Sequence, residues 1–260
     1  GADFRAGREA RSETGESLAP EQADQLVMGT SVQWYSIEEQ QPCPFPECPW
    51  AVQFSDATCQ RLTRGDWDWE TGMNLDQVTD IERIRDHALR VTFGNWSYLK
   101  NHSDMKDQIA KRRLAWVACI GGKRESRRLL GDVILQEQDL LQQRPYPDAC
   151  VTTTWGIDLH YPHPENARHF PGEEFRSVAR TTRIEPYAIP FRCLYSRNVA
   201  NLMMAGRNIS VTHVALGTIR VQRTTGMMGE VLGMAAAICT QHQTTPRGVY
   251  EQHLEELRNH

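Results

Sequence analysis

With 260 residues and a formal net charge of −4, the chain has length for one large or two modest domains. Its scattered basic residues exclude the concentrated positive footprint of a nucleic-acid or membrane-surface binder, and its longest apolar runs, near Leu202 and Val231, are too short to span a bilayer. Seven cysteines, an odd number without periodic spacing, argue against a disulfide framework and for a reducing, cytoplasmic compartment.

Residues Gly1 to Glu21 are polar and charged, punctuated by Pro20, and read as a loop with short helical turns. Val27 to Tyr35 alternates apolar and small polar residues, as a half-buried strand would. Gln40 to Trp50 carries four prolines and two cysteines and is irregular; Asp66 to Gly72 is a loop holding Trp67, Trp69 and acidic side chains. Asp76 is expected to cap a helix over 77–100, with Val78, Ile81, Ile84, Leu89 and Phe93 at helical spacing. Gly94 is expected to bend or interrupt it before Trp96, Leu99 and a second helix that runs through Ile109 and Leu114. Ala115 to Ile120 reads as a strand ending at Gly121-Gly122, Ser126 to Leu135 as a strand or short helix, and Asp148 to His160 as another strand. A loop rich in proline and histidine leads to extended segments over Arg183 to Tyr195. A short strand, Leu202 to Ala205, then delivers the chain to Gly206, where it can turn sharply. After a polar loop, Thr224, Thr225 and Gly226 start a final helix over 226–241, and its Ala235, Ala236 and Ala237 permit tight packing.

The stretch from Asn201 to Cys239, NLMMAGRNISVTHVALGTIRVQRTTGMMGEVLGMAAAIC, resembles the C-terminal signature of FAD-dependent oxidoreductases with a Rossmann-like flavin domain. GADFRAGREARSETGESLAPE at the start, WDWE and IERIRDH in the middle, and GGKRESRRLLGD later are similar to the same group, so the resemblance runs from Gly1 to about Thr240. It implies an α/β fold in which an incomplete Rossmann-like FAD-binding domain, its C-terminal strand and helix, accompanies an α+β substrate domain. The corresponding division is a connection over 1–26, a substrate domain over 27–195, an FAD-binding strand-loop-helix over 196–242 and a tail over 243–260. One departure stands out. The family holds the FAD pyrophosphate on a G-x-G-x-x-G turn, and no such motif is present; Gly121-Gly122 and Gly226 with Gly229 have the wrong spacing. The expectation is therefore the C-terminal portion of a longer enzyme, partnered by an N-terminal FAD-binding half in the same precursor or on a separate chain.

With FAD as the implied cofactor, Thr225, Gly226, Met227 and Met228 would sit at a helix start whose dipole and N–H donors stabilise the reduced flavin. Gly206, Arg207, Asn208 and Ser210 would line the turn beside its ribityl and phosphate portions. An ordinary strand-turn-helix with core alanines is the plain alternative. His213 and Arg220 lie between these elements: His213 suits acid–base work or merely ties a loop to a carbonyl, and Arg220 suits an anionic group or a structural ion pair. In the run Lys123 to Arg128, alternation would put Arg124, Ser126 and Arg128 on one face, with Glu125 pairing an arginine of the N-terminal segment. A solvated charged face is the default for such a run, and the resemblance moves Arg124 and Arg128 toward the cofactor. His160 is a candidate acid or base. Asp158, His160 and His163 are too loosely spaced for a metal, as are Cys43, Cys48 and Cys59, and no metal is expected.

The residues and the resemblance together give hydride transfer from a small or carbohydrate-like substrate to FAD, with His213, Arg220, Arg124 and His160 on the substrate side. A non-catalytic binding module that has lost its cofactor is the rival. A hydrolase using Asp66, Asp68 or Glu70 as paired carboxylates is a third reading.

Overall fold

The computed structural model describes residues 1–259. In chain order the elements are β1 (Phe4–Arg5), α1 (Arg11–Thr14), β2 (Thr30–Ser31), β3 (Trp34–Glu38), β4 (Arg64–Gly65), β5 (Glu70–Thr71) and α2 (Ile81–Asn101). Next come β6 (Arg112–Val117), β7 (Gly122–Lys123), β8 (Arg128–Leu129), α3 (Glu137–Leu141), β9 (Ala149–Thr153) and β10 (Ile157–Pro162). The last third holds α4 (Pro164–His169), β11 (Ser177–Thr182), β12 (Tyr187–Pro190) and a 3-10 turn (Phe191–Cys193). It ends with α5 (His213–Ile219), α6 (Gln222–His242), α7 (Pro246–Gln252) and α8 (Leu254–Arg258).

The result is a mixed α/β chain with small sheets. Two are three-stranded, β5-β2-β7 and β4-β3-β6, and three are two-stranded, β1-β8, β10-β11 and β12-β9. The β1–β8, β12–β9, β2–β5, β2–β7, β3–β4 and β3–β6 pairings are antiparallel. Leu135 and Val211 form an isolated parallel bridge. Two compact units interleave along the sequence: one of Gly1–Val27, Arg124–Leu159 and Arg180 onward, the other of Met28–Lys123 and His160–Ala179.

In the second unit, Trp34, Trp69 and Trp96 form the centre of the core with Val91, Leu99, Ile109 and Phe175. Trp34 meets Trp69 and Trp96 edge to face, with ring centroids 5.3 and 5.8 Å apart, the arrangement their quadrupoles favour. Of the two loop tryptophans, Trp69 is thus core, whereas Trp67 is exposed. In the first unit, α6 packs on β9, α7 and α8, burying Met228, Leu232, Ala235 and Ile238.

Several expectations are corrected by the structure. Gly94 does not interrupt its helix: α2 runs unbroken through it, and a Cβ there would lie 2.0 Å from the Val52 carbonyl oxygen. The glycine serves a close backbone approach, and burial of one helix face outweighs its poor propensity. Asp76 does not cap α2; its carboxylate accepts from the N–H groups of Val78 and Thr79 in the turn before it. No second helix reaches Leu114, because Lys100 Nζ donates to the carbonyls of Ile109, Ala110 and Arg112 and fixes a turn that feeds β6. The 27–35 strand is divided into β2 and β3, which pair in different sheets. Leu202 to Ala205 is not a strand; it keeps a bridge from Met203 to Tyr195 and a hydrogen bond from Met204 N–H to Leu194. Residues 213–219, expected as loop, form α5, and α6 begins at Gln222 rather than at Thr224 to Gly226. Beyond 242 the tail folds into α7 and α8. No helix among the described residues is long and apolar enough to cross a membrane.

Candidate functional site

A charged network buried in the first unit surrounds the start of α5. Thr212, in extended conformation, caps the helix by accepting from Ala215 N–H at 3.2 Å. His213 then occupies the first helical position, and its backbone N–H donates to Glu9 Oε2 at 2.9 Å. A carboxylate suits that position, where free N–H groups and the positive dipole end converge. His213 Nδ1 donates to Glu125 Oε2 at 2.9 Å. Glu125 Oε1 in turn pairs with Arg128, whose guanidinium also reaches Glu9 Oε1 at 2.8 Å and the carbonyls of Gly7 (2.7 Å) and Val211 (3.1 Å). Arg128 and Glu125 have no exposed surface, so their charges are tolerable only because the planar fork satisfies several acceptors at once.

The bond at Nδ1 fixes the His213 ring and leaves Nε2 as the atom available for chemistry. That Nε2 is buried and has no hydrogen-bond partner, as does the Ser210 hydroxyl. Buried polar atoms of this kind mark places where a further group belongs. A neighbouring carboxyl, Glu16, accepts from Thr212 Oγ1 at 2.6 Å and from Glu137 N–H at 2.8 Å. Burial nevertheless outweighs these bonds and raises its pKa above the ordinary carboxylate value.

The second unit contains another imidazole–carboxylate pair. His160 Nδ1 lies 2.6 Å from Glu70 Oε2, which also accepts from Ser177 Oγ at 2.8 Å, while Glu70 Oε1 accepts from Gly29 N–H at 2.6 Å. The Trp67 ring meets the His160 ring edge-on at 5.1 Å. Glu70 is fully buried, Asp68 pairs with Arg176 and Asp66 with Arg64, so the acidic loop consists of individually committed carboxylates rather than a facing pair.

Of the residues expected at a site, Gly206 adopts a left-handed φ of +130°, and a Cβ there would meet only Asn208 Oδ1, at 3.6 Å. Its N–H donates to Met228 Sδ at 3.4 Å, which joins the 206–210 turn to α6. Arg207 is exposed, the Asn208 carbonyl accepts from Leu129 N–H, and Ser210 is buried. Because α6 begins at Gln222, its free N–H groups belong to the residues before Thr225, whose own N–H already bonds to the Val221 carbonyl. Thr225 and Gly226 thus lie inside the helix. Gly226 is exposed, Met228 is buried, and Met227 lines a cleft of about 470 Å³ with Cys150, Val231, Met234 and Leu257. Arg220 sits in an ion pair with Asp158 at 2.9 Å. Arg124 is half-buried in the irregular segment between β7 and β8. That segment does not alternate, so Glu125 and Arg128 turn toward each other. The N-terminal segment contributes a carboxylate, Glu9, to the same guanidinium.

Glu9 and Glu16 escaped the reading of the sequence, since each looks like one more charge in a polar loop. The family model described as FAD dependent oxidoreductase matches residues 1–260. No curated protein and no solved structure matches the chain.

Proposed function

The chain belongs to the FAD-dependent oxidoreductase family, and from that premise we propose that it carries the proton-transfer and flavin-contacting part of an enzyme oxidising a small or carbohydrate-like substrate. When bound, FAD supplies a two-electron acceptor for hydride from a substrate C–H that bears an OH or NH. The observation that carries the reading is the unpartnered, buried Nε2 of His213, with Nδ1 held by Glu125. Glu125 fixes the tautomer, Arg128 and Glu9 fix Glu125 and the start of α5, and Nε2 takes the proton that leaves the substrate hydroxyl or amine. The Ser210 hydroxyl, also unpartnered, and the open left-handed turn at Gly206 fit a polar ligand approaching the backbone closely. Gly206, Arg207, Asn208 and Ser210 would hold the ribityl and phosphate side of the cofactor. Thr225, Gly226, Met227 and Met228 would flank it along the first turns of α6, whose dipole favours a reduced, anionic ring. Arg124 would meet an anionic group of the substrate, and Arg220, oriented by Asp158, would support the same region. This reading assigns no step to His160.

The chain contains no G-x-G sequence at any position. The pyrophosphate would therefore be gripped by a further FAD-binding segment, in the same precursor or on another polypeptide, that completes a Rossmann-like domain. Absorption spectra after desalting test this, with FAD added to the chain alone and together with that segment. A retained flavin band in either mixture, with His213→Gln slowing flavin bleaching by a panel of sugars and alcohols about 10²-fold or more, is the expected result. No retained flavin in both mixtures overturns the reading in favour of a cofactor-free binding module.

A further inference from the structure

The C-terminal end of α6 carries a second cluster of ligating atoms, distinct in residues from the His213 network. His242 is the last residue of α6, and Gln243 follows it in the left-handed conformation at φ +49°. Thr245 then caps α7 through Gly248 N–H, and α7 and α8 fold back onto α6. This reversal places His253, at the junction of α7 and α8, beside His242. Their rings stack with centroids 4.0 Å apart and an interplanar angle of 20°. Glu256, one turn into α8, faces both: its Oε2 lies 2.8 Å from His242 Nε2 and 3.8 Å from His253 Nδ1.

Two imidazole nitrogens and one carboxylate thus converge, with their ligand atoms all within 4.8 Å of one another. For a tetrahedral Zn²⁺ with bonds of about 2.0–2.1 Å, ligand atoms stand about 3.3 Å apart. The two separations from Glu256 bracket that value, and the rings would turn out of their stack to aim both nitrogen lone pairs at one ion. The donor chemistry suits a borderline divalent transition metal: neutral imidazoles and a carboxylate, without thiolate and without the oxygen-rich shell that Ca²⁺ or Mg²⁺ requires. The three side chains are 31, 22 and 31 % exposed, which leaves solvent access for the ion and for a water in the fourth position. Of the two rings only His242 reaches Glu256 Oε2 within hydrogen-bond distance, and a cation bound once the rings turn would engage both imidazoles and the carboxylate.

We propose that His242, His253 and Glu256 form a binding site for a divalent transition-metal ion of the Zn²⁺ class, which clamps α7 and α8 to the end of α6. Calorimetric titration of ZnCl₂ into the tag-free, chelator-treated full chain tests it, with circular dichroism of each variant to verify folding. The expected result is one Zn²⁺ per chain, with His242→Ala and His253→Ala each weakening binding more than about tenfold. Glu256→Gln, which keeps the shape and removes the charge, should weaken it in the same direction. Hydrogen exchange should slow at α7 and α8 on addition of Zn²⁺, a change that a site elsewhere would not produce. Stoichiometric binding that survives in the folded His242→Ala/His253→Ala double variant, or an affinity no better than millimolar in the parent chain, overturns the proposal.

Discussion

Arg128 shows why burial, more than distance, ranks the charges in this chain. Its guanidinium has no exposed surface and stands between Glu9 and Glu125. Arg128→Met would remove the buried guanidinium that Glu9 and Glu125 share, and is expected to cost about 3–5 kcal/mol, read from the urea midpoint at constant slope. By contrast, Arg258 pairs with Glu255 at 2.8 Å, yet the two are 46 and 80 % exposed, so Arg258→Ala should change stability by less than about 1 kcal/mol. Glu16 adds a pH signature. Burial holds its pKa above the ordinary value of 4.5, against the bonds from Thr212, Glu137 and Thr14. Between the unfolded and folded pKa values the native chain binds the extra proton, so this group's contribution to stability falls as pH rises through that window. Glu16→Gln keeps an acceptor for Thr212 and Glu137 while removing the titration. Its stability relative to the parent should therefore increase as pH rises from below 4.5 toward neutrality, in denaturation curves collected at a series of pH values. A difference independent of pH would refute the burial argument.

At the scale of single elements, two glycine classes make opposite predictions. Gly94→Ala gains up to about 1 kcal/mol of helix propensity, but the new Cβ would lie 2.0 Å from a backbone carbonyl that cannot rotate away. The clash should win, with a net loss of about 1–3 kcal/mol in thermal or chemical denaturation. Gly226, Gly229 and Gly233 lie on the exposed face of α6, and a Cβ on any of them meets nothing within 4 Å. Alanine there should stabilise the isolated chain by about 0.5–1 kcal/mol per site. Glycines that weaken a helix without serving any packing inside the chain are intelligible if that face meets the cofactor or the segment that holds it. The same triple variant is then expected to retain less flavin although it is more stable. The two long helices were legible because 3.6-residue spacing over twenty positions is a strong signal. Strands of two residues carry no period at all. The pairs Thr30–Ser31, Glu70–Thr71 and Gly122–Lys123 could therefore not be read from sequence, and only their mutual register reveals them.

For the molecule as a whole, the family was legible in the tail and the buried network was not. Glu9 and His213 are 204 positions apart, and the N-terminal segment, read as a polar loop with short helical turns, supplies the carboxylate that holds the start of α5. Local pattern carries no information about such a pairing. The same blindness hid the interleaving of the two units, since composition changes little where the chain leaves one for the other. That interleaving has a measurable consequence through the seven cysteines, all of them free. Burial pushes the Cys59 thiol up to about 11 and Cys150 up to about 12, and raises Cys193 well above its ordinary value. At neutral pH these three hold almost no thiolate, whereas Cys119 is exposed. A disulfide reagent should therefore modify Cys119 promptly in the native chain and reach the buried Cys59 and Cys193 only on unfolding. Cys59 reports on the second unit and Cys193 on the first. The chain passes from one unit to the other within the ranges of β10, after Leu159, and of β11, after Ala179. Cys59 and Cys193 are expected to become reactive at the same denaturant concentration. Separate midpoints would mean that the units unfold independently.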